Sequence, residues 1–506
     1  MARDPQGALI ALNRFGYGAR GWAASDFSSA ASDPRGFVKA ELGRPNAALL
    51  DAPGLQATPA LAQSVFDYQQ DVKQQRQAAV KSVQAMAAMP GVMPMDAKPE
   101  SKPDTKAEMK SDAKAMVSPD AMQPAPAPAK EPPKPLNIIQ KTYRAEALAR
   151  IQRATMTESG FVERLVAFWS NHFCISANKG ELARMWAGAF EREAIRPHVL
   201  GRFSDMVLAV EQHPAMIFFL DNQQSIGPQS RAGQNRKRGL NENLAREIME
   251  LHTLGVNGGY TQADVTSLAR IITGWSFAGR EGRLGPPGTF VFNANAHEPG
   301  PQKLLGKVYE DTGIAQGEAA LGDIARHPST VKFIATKFVR HFIADDPPPA
   351  LVAKLEATFR KSNGDLRAMT LALVDADEAW RAPMTKIRTP YEYLVAAGRM
   401  MGRIPEDPQR TLGGLNVLGQ PLWTPAGPNG FADTNAAWAA PEGIKLRLDI
   451  ASQISSRIGD SIDPRALLDV VAGDAASTET RQTVERAESR QQALALLLMS
   501  PEFQRR

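Results

Sequence analysis

Two carboxylates, Glu247 and Glu250, and four histidines, His172, His213, His252 and His297, are the side chains of this 506-residue chain best suited to chemistry. Imidazole and carboxylate together ligate zinc, iron or manganese, and they are also the usual general acid–base groups. The chain has seven histidines, and these four fall in otherwise apolar segments beside further polar groups. Asn171 precedes His172, Asp221 and Asn222 follow His213, Asn243 shares a segment with Glu247, Glu250 and His252, and Glu298 follows His297. One arrangement brings His172, His213, Glu247 and His297 around a divalent metal. Metal-assisted hydrolysis would then use Glu247, Glu250 and His172 as catalytic groups. Asn171, Asp221, Asn243 and Arg246 are the accompanying candidates for binding a ligand.

Each of these side chains also has a plain structural role open to it. His172 can donate to a helix-end carbonyl, His213 before Pro214 can be an N-cap, and His252 near a helix end suits the helix dipole. Arg246 lies four residues before Glu250, at ion-pairing distance on a helix. Helical bundles that hold two irons use Glu-x-x-His pairs, which this chain lacks. No phosphate loop, dinucleotide fingerprint, nucleophile elbow or His-Glu-x-x-His motif occurs either.

The elements that must position these groups are helices. Residues 239–277 read as two helices joined by a glycine-rich turn. Asn241 caps the first, Leu244, Ile248, Leu251 and Gly255 form its apolar stripe, and Gly255 ends it. The Thr261-x-x-Asp264 pair starts the second as a capping box, Val265, Leu268 and Ile272 are its stripe, and Gly274 stops it. On the first helix, Glu247 and Glu250 share one flank while His252 lies on the other. A site built there must borrow ligands from elsewhere in the chain.

Helical periodicity recurs over 59–87, 136–159, 158–173, 181–200, 202–212 and from 317 to the end. The segment 278–312 is rich in glycine and proline, with Thr289–Phe292 as a strand and a small β-hairpin expected. A loop is expected over 411–440. Residues 88–135 alternate lysine and acid among prolines, with like charges four apart, which disfavours a helix and points to a disordered insertion. The expectation is a mainly α, large multi-helical domain with a small β-hairpin and a disordered insertion. Its organisation is N-terminal helices over 1–87, the insertion over 88–135 and the main helical part over 136–506.

The net charge of +5 and the single cysteine bound the functional classes further. One cysteine excludes an internal disulfide and any multi-cysteine zinc or iron–sulfur site. The mild basic excess does not call for nucleic acid, and the basic run 231–238 reads as a solvated loop. The turn between the two helices of 239–277 is too long for a DNA-binding helix-turn-helix. No apolar run is long enough to span a membrane, and the first residues do not read as a signal peptide, so the sequence by itself points to the cytoplasm.

Several segments together resemble a known family. They are Leu165-Val-Ala-Phe-Trp-Ser-Asn-His-Phe173, His213-Pro-Ala-Met-Ile-Phe-Phe-Leu-Asp-Asn222, the 239–277 stretch, and His297-Glu-Pro-Gly-Pro-Gln-Lys-Leu-Leu-Gly306. Lys386-Ile-Arg-Thr-Pro390 and Gly419-Gln-Pro-Leu-Trp-Thr-Pro425 complete the set. The pattern resembles the bacterial family catalogued as domain of unknown function 1800. The resemblance implies a fold but no activity. It also implies a partner, a co-encoded phosphatase- or sulfatase-like protein of the domain-of-unknown-function 1501 family, often exported. Under that implication the chain is a non-catalytic binding or maturation partner, and it is periplasmic only if co-exported. The loops 278–312 and 411–440, with Trp423 and Trp438, would then form the contact surface.

Overall fold

The computed structural model describes residues 3–23, 25–87, 135–234 and 239–506. The expected disordered insertion falls almost wholly outside these residues, as do Arg236, Lys237 and Arg238 of the basic run. The chain divides into two compact units, Met1–Phe66 with Ile138–Arg506, and Asp67–Asn137. The boundary falls within the helix Thr58–Ala87.

The first unit is built around the helix Phe161–His172, whose sequence FVERLVAFWSNH buries Phe161, Leu165, Val166, Phe168 and Trp169 together with both charged residues, Glu163 and Arg164. A helix apolar on nearly every face has to be surrounded. Phe15 from the N-terminal segment and Phe342 from the helix Pro328–Phe342 meet Phe161 edge-on at 5.3 and 5.6 Å between ring centres. Phe338 meets Phe168 at 5.4 Å. The start of this helix is capped from far along the chain. The carboxylate of Glu41 accepts from Phe161 N at 2.7 Å, from Val162 N at 3.2 Å and from Ser159 Oγ at 2.6 Å. A carboxylate there satisfies otherwise unpaired donors and suits the helix dipole.

The 239–277 stretch forms its two helices with the expected starts. Asn241 Oδ1 accepts from Asn243 N at 3.0 Å, and Thr261 and Asp264 make a reciprocal capping box. The end of the first helix departs from the expected phase. Ile248–His252 is a π-helical turn, which holds more residues per turn than an α-helix. The stripe therefore rotates, leaving Leu251 half-buried and placing Leu254 in the core.

Among the described residues the β structure is two hairpins where one was expected. Trp275–Phe277 pairs with Phe290–Phe292, and Gln302–Leu304 pairs with Lys307–Tyr309. The first strand follows directly on Gly274, whose φ of +82° reverses the chain and whose added Cβ would stand 2.6 Å from Asn293 O. The second hairpin turns at Leu305 and Gly306, both with positive φ, as a two-residue hairpin turn requires. Leucine is not a usual residue for such a turn, so its sequence carries no hairpin signal. Part of the expected 411–440 loop is helical, as Gln409–Val417 runs into it. Residues 478–499 are two helices, Thr478–Glu485 and Arg490–Met499, because Ser489 caps the second. No helix among the described residues is long and apolar enough to cross a membrane.

Among the described residues seven arginines are at most 1 % exposed: Arg14, Arg164, Arg196, Arg388, Arg399, Arg447 and Arg506. Guanidinium cannot lose its charge under ordinary conditions, so each must find acceptors inside the fold. Arg399 finds five carbonyls. It donates to Gly18 O at 2.9 Å, Ala154 O at 3.1 Å, Thr155 O at 2.9 Å, Thr157 O at 2.5 Å and Glu158 O at 2.8 Å. It thereby caps the helix Ile138–Met156 and ties it to the N-terminal segment. Arg399→Met leaves those acceptors unpaired, and urea unfolding should show a loss of at least ~3 kcal/mol. A midpoint within error of the wild type would show that the carbonyls are satisfied without it.

Candidate functional site

Glu163 on the central helix starts a run of buried charges. Arg196 grips it with two bonds, of 2.8 and 2.9 Å, and also reaches Glu191 at 3.1 Å. Glu191 further accepts from Ser170 Oγ at 2.9 Å and Trp423 Nε1 at 3.3 Å, and pairs with Arg150 Nε at 2.9 Å. The Arg150 guanidinium carbon lies 4.5 Å from the Tyr391 ring centre and 5.6 Å from that of Trp423. Cations over aromatic faces are attracted by the ring quadrupole.

Arg150, Glu191, Tyr391 and Trp423 form part of the wall of a cavity open to solvent, with about 840 Å³ not filled by atoms, open solvent included. Phe190, Leu422 and Phe431 are among its apolar lining. One wall is the segment 420–433, strapped to the segment after the central helix. Asn171 bonds the backbone of Phe431 on both sides, at 2.8 and 2.9 Å. Ser176 Oγ donates to Pro425 O at 3.0 Å, Ala177 N to Trp423 O at 2.8 Å and Cys174 Sγ to Pro428 O at 3.2 Å. Gly430 has a φ of +74°, and a Cβ there would stand 2.4 Å from Asn171 O. Burial pushes the Cys174 thiol up to about 12, so it stays protonated as a donor rather than a nucleophile.

The far end of the cavity carries an Asp–His pair. His341 Nδ1 donates to Asp433 Oδ2 at 2.9 Å, and its Nε2 faces Arg164 Nη2 at 3.3 Å. Burial lowers His341 to about 4 despite Asp433, so Nε2 is an acceptor already engaged by Arg164 and is not free to take a substrate proton. Asp433 also receives Lys386 at 3.2 Å and Arg506 at 3.5 Å. Beside it, Glu392 lies between Arg164 at 3.2 Å and Arg506 at 2.8 Å. Burial alone would raise the Glu392 carboxyl, but these two guanidinium groups outweigh it and hold the value at about 2.

The residues singled out in sequence occupy other places. His172 Nε2 donates to His252 O at 3.0 Å, the helix-end role, and its Nδ1 faces Lys337 Nζ at 2.9 Å. Burial keeps His172 well below its ordinary pKa and lowers Lys337 to about 8. His252 Nδ1 lies 2.7 Å from Glu211 Oε1, both side chains fully buried. His213 is an N-cap, with Nδ1 accepting from Ala215 N at 3.1 Å and Nε2 3.3 Å from Glu193. His297 Nδ1 donates to Thr273 O at 3.0 Å, and its Nε2 is 3.6 Å from Asp311. Arg246 stands between Glu242 and Glu250, at 3.3 Å from each. Asp221, at a φ of +59°, pairs with Lys179 at 2.5 Å. Asn243 is exposed at the start of its helix.

The structure thus brings His172 and His252 together, with ring centres 6.4 Å apart. It does not bring His213 or His297 to them, since each is held by different partners. Glu247 is half-buried; desolvation, with Glu250 adding to it, raises its carboxyl. Among the described residues no group of three or more His, Cys, Asp or Glu is placed to hold a metal ion. Of the candidates, Asn171 lines the cavity, where both ends of its amide are used in strapping Phe431.

Residues 10–505 match the family described as "Protein of unknown function (DUF1800)". The chain belongs to this family. No curated protein and no solved structure matches it. In this family member, sequence reasoning missed Arg150, Glu191, His341, Glu392 and Asp433 at the cavity. Two signals were available. Glu392 completes a capping box with Thr389, and Trp423 and Tyr391 lie in or beside segments already singled out.

The titration of this end of the cavity has a definite sign. His341 falls from 6.5 to about 4 on folding, so between those values the unfolded chain binds the proton more readily. Its share of stability is present above pH 6.5 and is lost as the pH falls to 4. Glu392 falls from 4.5 to about 2, and its share is lost in turn as the pH falls through that window. Melting temperature should therefore drop steadily on acidification from pH 6.5, and His341→Gln should flatten the profile between 6.5 and 4. An unchanged slope in the variant would assign that loss to other groups.

Proposed function

We propose that this chain is a non-catalytic binding protein, with a small-molecule ligand seated in the cavity beside Arg150, Tyr391 and Trp423. The supporting observation is the cavity itself. It combines a largely apolar wall with a few fixed polar groups, the usual make-up of ligand sites. Its walls are held before any ligand arrives, by the Asn171 and Ser176 straps and by the Glu163–Arg196–Glu191 run. A pre-formed site avoids the ordering cost that weakens flexible ones. The Asp433–His341 pair at one end serves this rigidity, since its imidazole is bonded on both nitrogens.

Ala167 lines the cavity and is half-exposed, so a larger side chain there fills space without disturbing the core. A thermal-shift screen of small organic compounds should give ligands that raise the wild-type melting temperature. Those shifts should disappear in Ala167→Leu, with the circular dichroism spectrum unchanged. Ligands that shift both proteins equally would place binding elsewhere and sink the proposal.

A second reading keeps the metal-assisted hydrolase, and one observation favours it: Glu247 is a half-buried carboxyl beside Glu250 that burial raises above its ordinary value, the direction general acid–base groups share. His172 and Glu250 would serve beside it. In this reading zinc or manganese raises the melting temperature of the wild type but not of Glu247→Ala. No shift with either ion removes it.

A further inference from the structure

The cavity's polar groups are unevenly engaged, and the imbalance specifies what fills it. Its carboxylates are saturated. Glu191 has Arg150, Arg196, Ser170 and Trp423; Glu392 has Arg164 and Arg506; Asp433 has His341, Lys386 and Arg506. Its donors are not. Among the described residues, neither Nη of Arg150 has a hydrogen-bond partner, although the side chain is only 8 % exposed. The Tyr391 hydroxyl has none either, nor does Gln420 Nε2, whose companion Oε1 accepts from Tyr391 N at 2.8 Å. These donors open onto the cavity with no protein acceptor, and a site lined by them selects for acceptors.

The geometry narrows the acceptor further. Arg150 is held at the cavity wall by Glu191 beside Nε and by the Tyr391 and Trp423 rings near its guanidinium carbon, and its two Nη groups are the donors left for a ligand. Two parallel donors in a plane match the two oxygens of a carboxylate. A phosphate monoester would bring nearly two charges beside Glu191, against one for a carboxylate, and it would leave the apolar wall uncovered. Phe190, Leu422 and Phe431 supply that wall. We infer that the ligand is an organic monocarboxylate with an apolar body, its oxygens on Arg150 and its body against Phe190, Leu422 and Phe431. The inference rests on the binding reading of this cavity and adds the ligand's chemical class.

Three probes of nearly one shape test it: phenylacetate, 2-phenylethanol and 2-phenylethylamine, titrated by calorimetry into the full chain. Phenylacetate should bind at least tenfold more tightly than the alcohol, and the amine more weakly than both. Arg150→Gln should remove the preference for the acid. If that variant fails to fold, Tyr391→Phe and Gln420→Ala keep Arg150 and should each weaken phenylacetate a few-fold, and by a larger factor than the alcohol. Equal binding of acid and alcohol, abolished for both by Ala167→Leu, would overturn the carboxylate and leave the binding site standing. A thermal-shift screen that yields cavity ligands but no acids would do the same. No cavity ligand of any kind would remove both.

Discussion

Four buried charges in a row, Glu163, Arg196, Glu191 and Arg150, fix where the cavity is and what faces it. The row is anchored on the central helix, where Arg196 holds Glu163 with two bonds. Each later member depends on the one before, since an ion taken out of water must be paired on every side it exposes. Glu191 pairs with two guanidinium groups at once, meeting Arg150 at Nε. Glu163 and Arg196, which are not part of the cavity wall, thus help to place Glu191 and Arg150, which are.

The same demand explains the arginine-rich interior. Arg14, Arg388, Arg399 and Arg447 donate to backbone carbonyls and amide oxygens of distant segments. Each pins together segments far apart in the chain, in addition to the apolar contacts those segments share. Because guanidinium offers five donors in one plane, a single side chain closes several helix ends together. The N-terminal segment, the helix Ile138–Met156 and the region around Phe503 are joined to the helix Pro390–Met400 and its neighbours in this way.

The wall 420–433 belongs to this frame rather than to a moving cover. Its carbonyls and amides are taken up by Asn171, Cys174, Ser176 and Ala177. Asn171 was legible as a polar residue in an apolar segment, and it acts as a substitute strand partner for Phe431. His172 and His213 were likewise legible by type, and both took helix-end roles. Chemistry-bearing residue types are the same ones that terminate helices, so their presence alone does not separate the two uses.

What the sequence by itself determined is local: helix starts such as Asn241 and Thr261–Asp264, the strand at Phe290–Phe292, the mainly helical class and the family. These follow from capping chemistry and from periodicity within a dozen residues. Only the tertiary structure decided the π-turn that rotates Leu251 out of the core, the hairpin at Leu305, and the meeting of Arg150 with Tyr391 and Trp423. Arg150 stands more than 200 positions from either ring in the chain. Their contact is set by which buried charges must be paired, and pairing across such distances leaves no period in the sequence.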